Sequence, residues 1–407
     1  MSTASLPERP PILALTTGLG IAQLCSWGSL FYSFPLIAEA MRADLGWSKP
    51  EIYLAATIGL LLAAAAAYPV GAAIDRGHGR LVMSLASVAA GLLLIAWSQL
   101  ADLWLFYLVF AGIGCLQAAT LYEPAFAVMA RRLGPEDARR GITHLTLWGG
   151  FASTVFIPLI QLLLELYGWR GALVWLGAVN IVLCGGLYFA FIDPARDAAR
   201  PQRAHNGPEP LSGRQAILWA RRQPVFWAMV LTFMAYAAAF STLTFHLYPL
   251  LLERGLTAAG VVTVLAVIGP AQVAGRVFIW LVAPNAPIRA VGATIVAAFP
   301  IAAIGLAIAP PDIFILAAIA ALYGAANGIL TIVRGMAVPE MLTREAYGAI
   351  NGAISGPVHV VQALAPLGAA WLWAAGGGYD LVLIAVIAGA GLMAVSFWTA
   401  AVLSVRR

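Results

Sequence analysis

The chain has 407 residues, of which 62% are hydrophobic and 10% charged, and its mean hydropathy is +0.88. Soluble domains are about 45–50% apolar and about 25% charged, so charge this sparse cannot coat a water-exposed body of this size. That excludes a cytosolic enzyme, a disordered chain and a secreted disulfide scaffold, and leaves an integral membrane protein. The basic excess is small, 23 Lys and Arg against 18 Asp and Glu, and Lys49 is the single lysine. Basic charge clustered on a polar domain would point to nucleic acid. Here it sits in short loops between apolar runs, so no nucleic-acid partner is expected. Cys25, Cys115 and Cys184 lie inside apolar runs without CxxC spacing, which implies neither a metal site nor a disulfide framework.

A bilayer core about 30 Å thick takes roughly 20 apolar residues per helix. On that ruler the apolar runs fall near 12–40, 51–74, 81–99, 104–132, 140–166 and 170–192. After a polar stretch they resume near 224–252, 257–283, 287–309, 312–338, 346–374 and 380–404. The pattern predicts an all-α membrane protein with twelve transmembrane helices. The first run is too long, and too weakly basic at its front, for a cleaved signal peptide, and it is read as a helix. Of the 23 basic residues, Arg276 and Arg334 fall inside runs, Arg42, Lys49, Arg170 and Arg254 fall at one face, and the other seventeen fall at the opposite face. Cytoplasmic loops carry the excess of Lys and Arg, so both termini are expected in the cytoplasm.

The stretch 193–223 is the one long polar connection and is rich in Pro, Gly and Arg. It reads as a cytoplasmic linker between an N-terminal six-helix half, 1–192, and a C-terminal six-helix half, 224–407. A repeat supports the division: Gly168-Trp169-Arg170 precedes the sixth run and Gly378-Tyr379-Asp380 the twelfth, an offset of 210. Parallel repeats of this kind are a known transporter architecture.

An ionisable group at a helix centre costs roughly 2.5–3.5 kcal/mol on insertion scales and usually faces a cavity. Three stand out: Glu123 in the fourth run, Arg276 in the eighth and Arg334 in the tenth. Glu39, near the outer end of the first run, is read as interfacial. Glu123 and Arg334 are 211 residues apart, close to the repeat offset of 210. They are therefore expected at similar depth in opposite halves, where an ion pair between them would gate the cytoplasmic side. The competing reading lets Arg334 snorkel to the headgroups. Arg276, about seven residues or ~10 Å from the end of its run, can also snorkel. Two arginines against one glutamate leave a spare positive charge, and a guanidinium's paired donors suit a carboxylate. Glu123 is the candidate for proton coupling. Among weaker polar groups are Gln23, Trp27, Tyr32, Tyr122, Tyr236, His246, Tyr323, Asn327, His359 and Gln362. For each of these, bonding between helices competes with substrate contact. Together the aromatic residues would admit a flat solute.

The loop after the second run reads Gly71-Ala72-Ala73-Ile74-Asp75-Arg76-Gly77-His78-Gly79-Arg80. It resembles the GxxxDRxGRR signature of the major facilitator superfamily, and with the 6+6 layout the likeness covers nearly the whole chain. The resemblance implies the major facilitator fold, with Gly71 permitting close helix approach and Asp75 and Arg76 in a cytoplasmic latch. Within that superfamily the first half is most similar to the monocarboxylate porters. The likeness is carried by Trp27-Gly28-Ser29-Leu30-Phe31-Tyr32-Ser33-Phe34-Pro35, by Leu45-Gly46-Trp47-Ser48, and by Pro124-Ala125-Phe126-Ala127-Val128-Met129-Ala130-Arg131-Arg132. Gln272-Val273-Ala274-Gly275-Arg276 looks like that branch's DxxxR motif. Its arginine, which holds the substrate carboxylate in the family, is matched by Arg276. Its aspartate is replaced by Gln272, and the helix-one lysine of many members is missing. The GxxxxGP pattern of drug–proton antiporters is absent.

The resemblance implies a secondary active transporter working by alternating access on a small organic anion, a monocarboxylate first. The alternative is a neutral aromatic solute such as a flavin-like vitamin or a drug. Substrate contacts are expected from Arg276, Gln272, Tyr32, Trp27, Tyr122, Asn327 and Tyr236. Gating or proton coupling is expected from Glu123, Arg334, Asp75 and Arg76. No cofactor or metal is expected, and the setting is the bilayer of a bacterial-type inner membrane, with the chain a monomer. An ATP-driven pump is set aside because Lys49 is followed by Pro50, which cannot complete GxxxxGK[ST]. A membrane hydrolase is set aside because there is no HExxH and no GxSxG.

Overall fold

The computed structural model describes residues 12–196, 213–283, 285–343 and 347–405. Most of the expected linker, 197–212, lies outside the described residues, as do Arg9, Arg200, Arg203, Arg344, Arg406 and Arg407. Every long element among the described residues is a helix. In chain order they are α1 Ile12–Trp27, α2 Phe34–Leu45, α3 Lys49–Ala73, α4 Gly79–Ser98, α5 Leu103–Thr120, α6 Tyr122–Gly150, α7 Ala152–Ala178 and α8 Gly185–Phe191. After the linker come α9 Gly213–Arg221, α10 Pro224–Glu253, α11 Ala258–Ala266, α12 Ile268–Val282, α13 Ile288–Ile295, α14 Ala298–Ile308, α15 Ile313–Met341, α16 Tyr347–Gly376 and α17 Asp380–Val405. Helix starts follow local chemistry. Ser48 and Glu51 form a reciprocal capping box at the head of α3, and Asp102, Thr257 and Asp312 cap α5, α11 and α15, each meeting amide groups the first turn leaves unpaired.

Among the described residues ten helical stretches are long and apolar enough to cross a membrane, and the chain is a multi-pass membrane protein. Two of them, Lys49–Ser98 with 50 residues and Arg140–Phe191 with 52, are about twice the length one crossing takes. Each contains a glycine with positive φ, Gly77 at 94° and Gly168 at 64°. These fall between the apolar runs that the sequence separates there.

Prolines set much of the remaining architecture. A proline inside a helix has no N–H for the carbonyl four residues earlier, and in a membrane that carbonyl needs another donor. Four such carbonyls are met by side chains from other helices. Thr120, freed by Pro124, accepts from Gln23 Nε2 at 2.7 Å and from Tyr188 Oη at 3.0 Å. Phe245, freed by Pro249, accepts from Tyr53 Oη at 2.9 Å. Ala266, freed by Pro270, accepts from Thr154 Oγ1 at 3.1 Å. Gln362, freed by Pro366, accepts from Ser241 Oγ at 2.7 Å. The bonds to Phe245 and Ala266 join the chain before the linker to the chain after it.

The signature loop behaves differently from its expectation. A Cβ at Gly71 would meet nothing within 4 Å, so this conformation has no close helix approach there. The steric need lies at Gly77, whose positive φ suits glycine, and at Gly79, where a Cβ would come 2.7 Å from Val128 Cγ2.

Candidate functional site

The fourth apolar run is not one helix. Its break falls at Leu121, in extended conformation between α5 and α6, where Pro124 leaves Thr120 unbonded and Gln23 of α1 supplies the donor. The break turns Tyr122, Glu123 and Pro124, the first turn of α6, onto a cavity of about 460 Å³. A carboxylate in a first helical turn is favoured by the unpaired amides there, which suits Glu123.

The cavity is chemically two-sided. From the chain before the linker come the rings of Trp27, Phe31, Tyr122 and Phe126, with Glu123 and the small residues Ala63, Ala64 and Ala67 of α3. The rings form a row: Trp27 and Tyr122 have centroids 4.9 Å apart, and Tyr122 and Phe126 stack at 5.1 Å with planes 14° apart. From the chain after the linker come Arg334 of α15 and His359 and Gln362 of α16. Glu123 and Arg334 thus share one cavity. They form no ion pair among the described residues, since space lined by both remains in this conformation. Glu123 and Arg334 both act electrostatically on His359.

The other expected contacts divide into three groups. Trp27 and Tyr122 line this cavity. Tyr32 and Gln272 line a smaller one of about 50 Å³ with Tyr323. Tyr236 donates its hydroxyl to Asn327 Oδ1. Both residues are buried, at 6% and 3% exposure, and they hold each other rather than line the larger cavity. Arg276 does not line the larger cavity either. Its Nε donates to Gly328 O at 3.2 Å, a bond made possible where Gly328 packs on the backbone of Gln272. Asp75 and Arg76 are exposed, and the Asp75 carbonyl accepts from Arg131 Nη1.

A second cluster, barely legible in the sequence, closes the bundle at the other end of α3. One face of α3 carries Lys49, Tyr53 and Thr57, and then, further along, Leu60, Ala64 and Ala67 on the cavity, a spacing of three or four residues throughout. The first three each reach across to the chain after the linker. Lys49, only 2% exposed, lies 3.7 Å from Glu39 Oε1 and 3.8 Å from Glu253 Oε2. It donates to Tyr379 Oη at 3.2 Å and sits 4.1 Å from the Trp373 ring centroid. Tyr53 bonds Phe245 O, and Thr57 Oγ1 donates to Ala363 O at 2.8 Å. Behind them His246 stacks on Tyr53 at 4.1 Å and bridges Tyr379 Oη and Pro366 O at 3.1 and 2.8 Å. A carbonyl only accepts, so Nε2 carries the hydrogen and Nδ1 accepts from Tyr379. Sequence alone places Lys49 among the loop charges and Glu39 at the interface, whereas the fold buries Lys49 to 2% exposure beside Glu39. The available signal was a lone lysine in a chain whose other basic residues are all arginine.

The three cysteines are free, and no group of metal-binding side chains occurs among the described residues.

Comparison with known proteins accords with this geometry. The Major Facilitator Superfamily model matches residues 19–304. Over 211 residues the chain is 33% identical to human monocarboxylate transporter 11, covering 50% of this chain and 42% of that protein. Over 172 residues it is 32% identical to rat monocarboxylate transporter 13, covering 40% and 37%. The chain thus spans less than half the length of these curated relatives. Among solved structures, a bacterial homologue of the human lysosomal transporter Spinster, inward-facing and unoccupied, superposes with a TM-score of 0.73 at 15% identity, covering 97% of each chain. A mutant of the nucleoside transporter NupG superposes with a TM-score of 0.73 at 15% identity, covering 96% of this chain and 99% of that one. Likeness at that identity speaks for the fold alone. The chain belongs to the Major Facilitator Superfamily, a family of transporters rather than enzymes, and is related within it to the monocarboxylate branch.

Proposed function

We propose that this chain is a secondary active transporter for a small organic anion, a monocarboxylate, and that it works by alternating access. The observation that carries the reading is the Arg334 side chain, which lines a 460 Å³ cavity with no hydrogen-bond or ion-pair partner among the described residues. A guanidinium held at low dielectric without a counter-ion is a site for a carboxylate. Arg276, close enough to act electrostatically on the cavity residue Tyr122, adds to the positive field.

In this reading two six-helix halves, 1–192 and 224–407, are joined by the linker 193–223. The stretches of 50 and 52 residues each make two crossings, which gives twelve in all. With both termini cytoplasmic, the Asp75 end is inside and the Lys49 end outside, and the conformation is inward-facing. Breaking the bonds of Lys49, Tyr53 and Thr57 opens the outer face, while the latch at Asp75 and Arg76 closes the inner one. Glu123 carries the coupled proton, and its neutral form leaves Arg334 free for the incoming anion.

A second reading, a neutral aromatic solute, is favoured by the ring row of Trp27, Tyr122 and Phe126. Uptake by proteoliposomes containing the full chain separates the two. Under the anion reading, labelled monocarboxylates enter and Arg334→Gln abolishes their entry. Entry of neutral aromatics alone, untouched by Arg334→Gln, would overturn it.

A further inference from the structure

The two walls of the cavity differ in kind, and that difference narrows the substrate class. All of its aromatic lining comes from α1, the turn Gly28–Tyr32 and α6, as Trp27, Phe31, Tyr122 and Phe126. Its cationic side chain, Arg334, and the side chains of His359 and Gln362 come from α15 and α16, while the ring wall offers as donors the Trp27 indole N–H and the Tyr122 hydroxyl. The Gln117 side chain is already engaged, with Nε2 donating to Leu30 O at 2.7 Å. His359 and Gln362 lie three residues apart, on one face of α16, and their side chains have no hydrogen-bond partner among the described residues.

A two- or three-carbon acid would occupy the donor wall and leave the ring wall to water. A neutral ring would leave the guanidinium unpaired. At about 460 Å³ the space is in the range of about 300–1,000 Å³ that takes ligands well beyond that size.

We propose that the substrate is an aryl carboxylate, a planar ring bearing one carboxylate, with its ring against Trp27, Tyr122 and Phe126 and its carboxylate on Arg334 and Gln362. This rests on the organic-anion reading above and deepens it. Ring faces prefer offset-stacked or edge-to-face neighbours 4.5–7 Å away, and the Tyr122–Phe126 pair already has that spacing. An added ring extends the row, whereas a saturated ring of equal size gains burial without the quadrupole term.

The test uses the purified full chain in detergent, titrated calorimetrically with benzoate, cyclohexanecarboxylate, propionate and benzamide. Benzoate is expected to bind about three- to tenfold more tightly than cyclohexanecarboxylate and more tightly still than propionate, with benzamide weakest. Phe126→Leu moves the benzoate-to-cyclohexanecarboxylate ratio toward one, Phe126→Tyr keeps it, and Arg334→Gln abolishes binding of all three acids. Equal binding of the three acids, all lost in Arg334→Gln, overturns the aryl preference and leaves the anion carrier standing. Benzamide binding as tightly as benzoate, indifferent to Arg334→Gln, overturns both. Failure of every acid to bind a correctly folded protein overturns both as well.

Discussion

Tyr53 of α3 and Pro249 of α10 act on the same atom: Pro249 deprives the Phe245 carbonyl of its helical N–H, and the Tyr53 hydroxyl, 2.9 Å away, replaces it. A buried carbonyl that the helix cannot satisfy thereby becomes a bond between the two parts of the chain. Replacing Tyr53 by Phe removes the donor and is expected to cost about 0.6 kcal/mol, up to about 1.7, the range for hydrogen bonds between membrane helices. Pro249→Ala restores an N–H at the carbonyl, so Tyr53→Phe should cost less in that background. A double-mutant cycle read by reversible unfolding in mixed micelles measures the coupling. Additive costs would mean that Tyr53 does not serve the carbonyl Pro249 releases.

Lys49 makes the charged part of the same closure. Removing it takes the cation from Glu253, while Glu39 keeps Arg42, whose Nε lies 3.1 Å from its Oε2. Glu253 is 38% exposed and water screens it, so the expected effect is of the order of 1 kcal/mol, about a fivefold shift between conformations. Lys49→Met should therefore speed the labelling of a cysteine placed at Thr57 by an impermeant maleimide about fivefold, with Cys25, Cys115 and Cys184 replaced by Ala. An unchanged rate would make Lys49 a packing residue and not part of the closure.

What the sequence told of this arrangement, and what it did not, follows from the range of the interactions. Apolar runs mark helices because burial in lipid is a local demand, and Glu123 and Arg334, 211 residues apart, line one cavity without the ion pair among the described residues that their spacing suggests. The break at Leu121 had its cause in plain view, Pro124. Its consequence depends on Gln23, which is 97 residues from Thr120, and no local pattern pairs them. Lys49 meets Tyr379 across 330 residues, so a residue that reads as a polar loop charge became one of the most buried. Arg276 was expected at the substrate by family likeness. The close packing of Gly328 and Gly275 against the neighbouring helix brings Gly328 O within reach of its Nε, and side-chain reach of that kind is a property of helix spacing.

Glycines give a sharper contrast. A Cβ at Gly114 of α5 would run into the backbone of Gly59 on α3, so Gly114→Ala must part the two helices, at about 1–3 kcal/mol. Gly71→Ala meets open space and should change stability by no more than about 0.5 kcal/mol. Apparent melting temperatures in detergent check both. If Gly71 matters only in the opposite conformation, Gly71→Ala will slow transport without lowering the melting temperature, which separates a motif that serves movement from one that serves packing.

In the transporter proposed above, Glu123 is the group assigned to drive transport. Among the described residues it is the one carboxylate on the cavity, in the first turn of α6, and Arg334 lines the same space. An ionised Glu123 competes with an incoming carboxylate for that guanidinium, whereas a protonated one does not. Substrate and proton are then taken up together and released together. Glu123→Gln fixes the neutral form, so the anion can still bind and exchange while the proton no longer moves with it. In proteoliposomes this variant should lose accumulation driven by an imposed pH gradient and retain counterflow of labelled substrate against unlabelled. Loss of both would assign Glu123 to binding, and retention of both would move the coupling to another group, with His359, which feels both charges, the next to replace.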